Sequence, residues 1–323
     1  IRLTQDEEVY AVVGGFVGPL GGTADPCISG LNNTILVGGE MNDQELGQST
    51  APWYHDGPSV EEQTTVMLDL LELEGYTEGK TVYAMGGAAA EAQYDFVLAE
   101  LQDRGIEVVG DAIIAANDGD TIDQDNEIGP VLERVQESGA TTVFIFGNPS
   151  AILRGIGDAG LAGEIEVWTN NASGLNNLGA TIPDKSIADG TISLGGLTDE
   201  EIWDRDLFQS YCADPVRERV PEADLREPET YAADEENWFN STRLGCQDIY
   251  LFVQIVEAAG DDLSHAGFVR GANSIGSFEM PTSPTAFLEP GTITARAIDR
   301  LVVYDHTNGD GGTVPFGDLI ERN

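Results

Sequence analysis

Short, nearly continuous apolar runs alternate with helix-like segments up to residue 197, and this rhythm limits the possible folds more than any other feature of the chain. Such runs are typical of strands covered on both faces, whereas a half-exposed strand alternates apolar and polar residues. The runs lie at residues 10–16, 34–39, 81–87, 106–114, 141–147, 165–170 and 190–197. Between them apolar residues recur three and four positions apart, for example at Val66, Leu70 and Leu73. Strand and helix in alternation predict an α/β fold with parallel sheets flanked by helices.

The rhythm stops after residue 197. Residues 198–243 are acidic, contain prolines and aromatic residues, and show little periodicity. A helical hairpin is predicted next, at 246–259 and 263–272, and an extended run at 293–304 closes the chain before a turn. With 323 residues the chain is long enough for two domains, each with its own core.

The charge of the chain excludes some partners. It carries 57 acidic residues against 15 basic ones, a formal net charge of −42. Such a surface repels phosphate backbones and anionic membranes, so we expect no nucleic-acid partner. No run approaches the roughly 18 apolar residues that a membrane span needs. The opening residues lack the basic and apolar regions of an export signal, so we expect that any such signal is removed or omitted. Two interpretations of the acidity stay open: solubility in a host whose proteins are acidic or live in salt, and a dedicated role in binding cations.

The cysteines indicate one disulfide. Cys212 lies in a polar stretch and Cys246 opens an apolar helical segment, and both fall in the same late region. A disulfide between them would close a loop and would fit an oxidising compartment. Cys27 is then left over, either as a small buried residue or as the partner of a cysteine outside this chain.

Motifs for catalysis or cofactor binding are missing from the sequence. Gly75, Gly79 and Lys80 resemble a phosphate loop, but one residue is lacking between the glycines, and the segment closes a helix instead of opening one. No G-x-G-x-x-G and no G-x-S-x-G is present. The histidines are scattered and lack metal-ligand spacing: His55, His265 and His306. We therefore expect neither catalysis nor a cofactor.

Two acidic clusters have the residue types of a calcium site but not the spacing of an EF-hand. Their members are Asn117, Asp118, Asp120, Asp123 and Asp125 in the first cluster, and Asp305, Asn308 and Asp310 in the second. With so many carboxylates in the chain such clusters arise by chance, so we interpret both as solvated turns without a metal.

Small residues follow most of the predicted strands. The loops concerned lie at 15–22, 38–42, 86–91, 147–150 and 170–173. Ligands of open α/β sheets bind at the carboxyl ends of the strands, and loops of this composition suit binding better than chemistry. The alternative is that small residues simply complete the strand ends, as any α/β sheet requires.

The order of these segments resembles the type I periplasmic solute-binding proteins of ABC transporters, in particular the branched-chain amino-acid-binding type. The resemblance is carried by segments 3–16, 35–46, 58–75, 81–109, 128–160 and 165–174, and so covers nearly the whole chain. It is a pattern of elements and not a signature motif. In this family a helix leads into the first strand, and each later strand ends in a ligand-facing loop.

The resemblance implies two Rossmann-like lobes, joined by three crossings, that close around a ligand by hinge motion. Lobe one would be residues 1–57 plus 198–297, and lobe two 58–197 plus 298–323. The family normally opens with two further βα units, which are absent from this sequence, so lobe one is expected to be partial.

The resemblance also assigns ligand-binding residues to the strand-end loops. Asn42, Ser150, Asn170 and Asn171 are expected to hydrogen-bond the ligand, and Gly86 and Gly87 to let it approach closely. The full expected set is Gly18, Pro19, Glu40, Met41, Asn42, Gly86, Gly87, Ala88, Ala89, Asn148, Ser150, Asn170 and Asn171. Amino-acid binders of this family hold the carboxylate and ammonium groups of the ligand with polar side chains. The matching positions in this sequence, Gly18–Pro19, Ala89 and Asn171, carry other residues. A simple branched-chain amino acid is therefore disfavoured.

The function implied is a receptor, expected to be monomeric, that captures a small polar or amphipathic molecule in the cleft between its lobes and delivers it to an ABC transporter permease. It would lie in the periplasm or outside the cell, with a lipid anchor on a removed N-terminus as one option. Two alternatives stay open. One is a ligand-sensing ectodomain of the same fold, and the other is an α/β enzyme with an unrecognised site, for which Glu40 and Glu91 would be the carboxylates to test.

Overall fold

The computed structural model describes residues 9–15, 21–39, 41–116, 121–176, 178, 182–231, 235–308 and 311–321. The chain divides into two compact units: unit 1 comprises Ile1–Val60, Leu197–Ile298 and Ile320–Asn323, and unit 2 comprises Glu61–Gly196 and Asp299–Leu319. The chain thus passes from one unit to the other after Val60, Gly196, Ile298 and Leu319. The resemblance implies three crossings between the lobes, whereas the chain crosses four times between these units, because the final residues group with unit 1.

The strands in chain order are β1 (Ala11–Gly14), β2 (Ile35–Gly38), β3 (Trp53–Tyr54), β4 (Thr81–Gly87), β5 (Glu107–Ile114), β6 (Thr142–Phe146), β7 (Glu166–Thr169), β8 (Ile192–Gly195), β9 (Gly276–Met280), β10 (Ser283–Leu288), β11 (Ile298–Asp305), β12 (Gly312–Pro315) and β13 (Ile320–Glu321). The α-helices are α1 (Gly21–Pro26), α2 (Asp43–Leu46), α3 (Val60–Leu73), α4 (Tyr94–Asp103), α5 (Thr121–Ser138), α6 (Ser150–Asp158), α7 (Ala172–Asn176), α8 (Asp199–Trp203), α9 (Asp206–Phe208), α10 (Asp214–Arg219), α11 (Trp238–Ala259) and α12 (His265–Ile275). None of the helices in these described residues is long and apolar enough to cross a membrane.

Unit 1 contains a parallel sheet of three strands in the order β1–β2–β3. Strand β2 is buried along its whole length, as its uninterrupted apolar run predicts. One side of this sheet packs on the hairpin of α11 and α12, where Leu251 and Phe268 are fully buried beside Ile35 and Tyr54. A separate antiparallel pair, β9 and β10, also belongs to this unit.

Unit 2 is built on a larger sheet in the order β12–β11–β8–β7–β6–β4–β5. From β5 to β8 all neighbours are parallel, whereas β11 is antiparallel to both β8 and β12. Every residue of β6 is buried, so helices or loops cover both faces of the sheet at its centre. On one face α5 and α6 supply Ile128, Leu132 and Ile156 to the core.

The late region that lacks periodicity in sequence contains α8 and a continuous helical stretch, in which the π-helical segment Gln209–Ala213 joins α9 to α10. These helices surround a small core of their own. Phe208 and Phe239 are fully buried there, with ring centroids 5.4 Å apart. A disulfide joins Cys212 to Cys246 at a Cα–Cα distance of 5.7 Å, as expected from the sequence. The cross-link ties this segment to α11, and Cys27 stays outside any disulfide.

The α/β class and the parallel sheets are as predicted, and three elements correct the prediction. The extended run near the end becomes an antiparallel strand, β11, because it enters the sheet of unit 2 from the opposite direction. The β9–β10 pair was not predicted. Helix α11 begins at Trp238, where Asn237 caps it, well before residue 246. The helix predicted before β1 lies outside the described residues for most of its length.

Candidate functional site

The loops after β4, β6 and β7 lie side by side at one edge of the sheet of unit 2. Because these strands are parallel neighbours, their carboxyl ends meet there: Gly86 is paired with Phe146, and Ile145 with Thr169. This edge holds eight of the expected site residues, namely Gly86, Gly87, Ala88, Ala89, Asn148, Ser150, Asn170 and Asn171. The topology therefore gathers them, as a strand-end site requires.

Asn170 has a different role from the ligand contact predicted for it. Its side chain is buried, its Oδ1 accepts a hydrogen bond from Gly147 N at 3.1 Å, and its Nδ2 donates to Thr64 Oγ1 at 3.0 Å and to Gln93 Oε1 at 3.4 Å. These bonds use most of the capacity of the amide. Asn170 thus links the loops after β6 and β7 to α3 and to the short 3₁₀ helix Ala88–Gln93 that precedes α4.

Two further asparagines shape the loops in which they lie. Asn148 is exposed and its Oδ1 accepts a hydrogen bond from Ser150 N at 3.1 Å, which starts α6. Asn171 is half-buried and accepts from Gly174 N at 2.7 Å at the start of α7. Such turns are a standard use of asparagine before a helix. Ser150, in the same strand-end loop as Asn148, is also half-buried.

The two glycines that end β4 differ in what surrounds them. A Cβ atom built on Gly86 would lie 2.2 Å from Cε2 of Phe146, whereas one on Gly87 would meet nothing within 4 Å. Gly86 is therefore required by the packing of Phe146 and not by a ligand, which corrects the role predicted for it. Gly87 borders open space, as a residue that admits a ligand must.

The substitution Gly86→Ala is expected to destabilise the protein by about 2 kcal/mol, because Phe146 has no room to yield within the sheet. Gly87→Ala is the matched control, since it adds the same methyl group one residue later in open space. Chemical denaturation of both variants measures the difference. Equal midpoints for the two would contradict the packing of Phe146 described here.

In unit 1 the described part of the predicted site is small. Gly18, Pro19 and Glu40 lie outside the described residues. The Met41 side chain is 2% exposed and packs with Leu36 and Trp53, so it belongs to the hydrophobic core and not to a ligand surface. Asn42 caps α2 through a 2.9 Å hydrogen bond from Glu45 N and is half-buried.

A cluster that the sequence did not predict surrounds the glycine pair at the end of β2. A Cβ atom on Gly38 would lie 2.6 Å from Oδ2 of Asp248, and one on Gly39 would lie 2.3 Å from Oδ2 of Asp25. Both glycines have positive φ angles, +99° and +85°, which other residues rarely adopt. The His55 ring lies beside them, with Nε2 3.6 Å from Oδ1 of Asp56 and Nδ1 within hydrogen-bond distance of Gly57.

Burial and neighbouring charges shift two groups of this cluster. Burial raises the pKa of Asp248 to about 8, and repulsion from Asp56 adds to the rise while His55 opposes it. Burial lowers the pKa of His55, but Asp56, the backbone of Gly57, Asp248 and the backbone of Gly39 together raise it above its ordinary value. Sequence reasoning missed the cluster because its members come from α1, the end of β2, the segment after β3 and the middle of α11.

Within the described residues, one group of side chains could together hold a metal, namely Asp189, Asp305 and His306 of unit 2. They bond to neighbours: Asp189 Oδ1 accepts from His306 N at 2.8 Å, and Asp305 Oδ1 accepts from Thr307 N at 2.8 Å. Asp305 belongs to one of the predicted solvated turns, whose Asp310 is outside the described residues. The other predicted turn is wrong for Asp123 and Asp125, which lie in the first turns of α5, where Asp125 accepts a hydrogen bond from Arg154 at 2.8 Å. Residues 117–120 are outside the described residues.

A surface cavity of about 360 Å³ in unit 2 lies away from the strand-end loops. It is lined by Thr141, the 162–167 segment and Gly190, which are at the amino ends of β6, β7 and β8. Ligands of parallel sheets bind at the opposite edge. We therefore place the candidate site at the carboxyl ends of the strands.

Comparison with solved structures shows which fold this is. A solute-binding protein of an ABC transporter from R. palustris, in complex with 4-hydroxybenzoate, matches 99% of this chain and 81% of its own with a TM-score of 0.66 at 14% identity. A leucine-binding protein, LivK, from Thermotoga maritima aligns with 99% of this chain over 82% of its own length, with a TM-score of 0.69 and 12% sequence identity. A fatty-acid ABC transporter substrate-binding protein from Thermomonospora curvata aligns with 99% of this chain over 77% of its own length, with a TM-score of 0.62 and 14% sequence identity.

No protein-family model and no curated protein matches the chain. The likeness therefore lies in the structure, where it extends over almost the whole chain. The resemblance noted in the sequence is confirmed at the level of fold: the chain has the fold of the type I periplasmic solute-binding proteins of ABC transporters.

Proposed function

We propose that the protein is a solute-binding receptor without catalytic activity, which captures a small polar or amphipathic molecule with its strand-end loops and delivers it to an ABC transporter permease. The observation that carries the proposal is the match of nearly the whole chain to solute-binding proteins. We place the receptor in the periplasm or outside the cell, where such a carrier meets its solute and where the Cys212–Cys246 disulfide would persist.

The composition of the unit 2 edge supports binding over catalysis. Its described polar side chains include the amides of Asn148 and Asn171 and the hydroxyl of Ser150, and Gly87 borders open space. Glu91 contributes an exposed carboxylate to the loop after β4, and no histidine lies in these described loops. Amides and hydroxyls donate and accept hydrogen bonds, but an amide does not carry protons between reactants. Such an edge suits recognition of polar atoms on a solute.

The chemistry of the solute is not transferred from the matched structures. Their names mention a hydroxybenzoate, leucine and fatty acids, which share little beyond small size and an anionic carboxylate. Because identity is at most 14% among the matches described, the pocket residues of this chain must be considered on their own.

A thermal-shift screen tests the proposal. A library of amino acids, amides, nucleosides, aromatic acids and amines should contain compounds that raise the melting temperature of the intact chain. Stabilisation follows RT ln(1 + [L]/Kd), about 2.7 kcal/mol at a ligand concentration of one hundred times Kd. Absence of any stabilising compound across the library would count against the receptor, and conversion of a compound to product would point to the enzyme alternative.

Gly87→Ala should weaken binding of a compound found in this screen by about tenfold while leaving the melting temperature of the unliganded protein unchanged, since the added methyl group enters open space at the strand-end edge. Gly245→Ala provides the control, because Gly245 is exposed on α11 and a Cβ there also meets nothing within 4 Å. Isothermal titration calorimetry measures both. Unchanged affinity in the Gly87 variant would remove this edge from the binding site.

A further inference from the structure

The Asp248 carboxyl group is the least satisfied charged group in the cluster around Gly38 and Gly39. The residue is 7% exposed, and its Oδ1 is buried without a hydrogen-bond partner among the described residues. Its Oδ2 lies against Gly38, where a Cβ atom would be only 2.6 Å away. A buried carboxyl group in this position is unfavourable in the absence of a donor or a cation.

Other charged groups lie around this carboxyl group. Among the described residues, Asp25 of α1 lies against Gly39, and Asp56 after β3 lies 3.6 Å from the His55 ring. Asp56 is close enough to Asp248 to raise its pKa, and His55 is close enough to oppose that rise. A group that brought one positive charge and several N–H donors would relieve both the repulsion and the missing hydrogen bond.

The position of the cluster is that of a ligand subsite. It lies at the carboxyl ends of β2 and β3, which are parallel neighbours, so it occupies in unit 1 the edge where sheets of this kind bind ligands. The His55 and Asp56 side chains, which directly follow β3, are 18% and 13% exposed, so both retain contact with solvent. The hydrogen bond from Trp53 Nε1 to Gly38 O, at 2.9 Å, holds the glycine backbone in place.

We propose that this cluster, with Asp248 and Asp56 as its carboxylates, is a subsite for a cationic nitrogen group of the solute, such as a primary ammonium. The inference rests on the proposed receptor function and names the class of solute. A bare metal ion fits less well, since it needs several ligand atoms at once within about 2.0–2.6 Å. Within the described residues these groups do not come together as such a set. An ammonium group with three N–H donors spans wider gaps.

The proposal has a consequence for protons. Asp248 must lose its proton to hold a cation, and its pKa of about 8 means that it is mostly protonated at neutral pH before the ligand arrives. Binding should therefore release a proton, and affinity should rise with pH up to about 8, at most tenfold per unit. Titration of His55 acts in the same direction, because its positive form repels the ligand. Among the described residues, Asp56 also acts on Asp248, and Asp25 lies against Gly39.

The test compares probes of one shape and three charges: benzylamine, benzyl alcohol and benzoate, together with the corresponding hexyl compounds. In thermal-shift and calorimetric titrations of the intact chain, the amines should bind and their matched alcohols and carboxylates should not. Asp248→Asn should weaken amine binding at least about tenfold, whereas Glu257→Gln, which removes a charge from an exposed position on the same helix, should leave it unchanged. Titrations in buffers of different ionisation enthalpy should give close to one proton more released at pH 7 for the unmodified protein than for Asp248→Asn, in which only His55 contributes.

The outcomes separate this inference from the proposed function. If carboxylates or neutral compounds bind and amines do not, the cationic subsite is wrong while the receptor stands. If no compound in the wider screen binds, the receptor itself fails. If Asp248→Asn and Glu257→Gln bind amines with equal affinity, the attraction for amines comes from the general negative charge of the surface and the inference is overturned.

The melting temperature of Asp248→Asn shows whether this variant still folds and can be used in the binding comparison. The folded-state pKa of Asp248 lies above the ordinary 3.8, so the folded form binds the extra proton and stability falls as pH rises from about 4 toward 8. Asp248→Asn should therefore melt above the unmodified protein at pH 8–9 and equal it near pH 4. If this variant does not fold, Asp56→Asn replaces it in the binding comparison, and retained amine binding there would contradict the proposal.

Discussion

The melting temperature should rise by about 10 °C or more when NaCl is raised from about 0.02 M to about 1 M at pH 7, because salt screens repulsion among the acidic groups. The net charge of −42 leaves most carboxylates without a basic partner. The few cations are already shared: Arg104 lies 2.6 Å from Asp69, 3.0 Å from Glu72 and 3.1 Å from Glu100. Repulsion of this kind opposes the compact state and weakens as the Debye length shrinks from tens of ångströms to about 3 Å.

Two controls separate screening from other effects of salt. KCl and choline chloride should act like NaCl, because screening depends on ionic strength and not on the identity of the ion. Near pH 4.1, the isoelectric point of the sequence, the dependence on salt should largely vanish. A melting temperature that does not change with salt would contradict the prediction, and a strong preference for one cation would favour the dedicated cation-binding role that the sequence leaves open.

Replacing both Cys212 and Cys246 by serine should lower the free energy of unfolding by about 3–4 kcal/mol and the melting temperature by about 10 °C. The physical reason is that the cross-link closes a loop with a sequence separation of 34 residues and so restricts the unfolded chain. It also ties the small core of Phe208 and Phe239 to α11. Calorimetry on the intact chain should assign the loss to unit 1, which contains both cysteines.

Cys27→Ser is the control for the disulfide variant. Cys27 is half-buried and accepts a weak hydrogen bond from Asn32 at 3.4 Å, so its loss should have a much smaller effect. A reducing agent should reproduce the destabilisation in the unmodified protein and do nothing further to the double variant. A double variant as stable as the unmodified protein would show that the cross-link does not restrain the unfolded chain.

The fold could be predicted from sequence wherever strands are buried on both faces. The run 81–87 is recovered as β4 with the same bounds, and the run 141–147 as the fully buried β6. Prediction from sequence failed for elements whose structure is not determined by the local pattern of apolar residues. The two residues of β3 are too few for any periodicity, and the direction of β11 depends on how the chain returns to the sheet, which no local pattern records.

The candidate site was predictable to a smaller extent. Parallel strands bring their carboxyl ends together, so the unit 2 edge follows from the strand runs alone. The roles of single residues did not follow: Gly86, Met41 and Asn170 are explained by Phe146, the hydrophobic core and a hydrogen-bond network. The sequence did not predict the Asp248 cluster because its carboxyl groups come from distant parts of the chain. Among 57 acidic residues, nothing in the sequence distinguishes the buried ones.

The bonds of Asn170 also bear on how solutes are selected. The amide joins Gly147 of one loop to Thr64 of α3, so both neighbouring loops have fixed backbones before any solute arrives. A rigid edge loses little conformational entropy on binding, and it adapts poorly to a molecule of another outline. Selection at this edge should therefore act by shape, with bulky analogues of a good ligand rejected outright instead of bound more weakly.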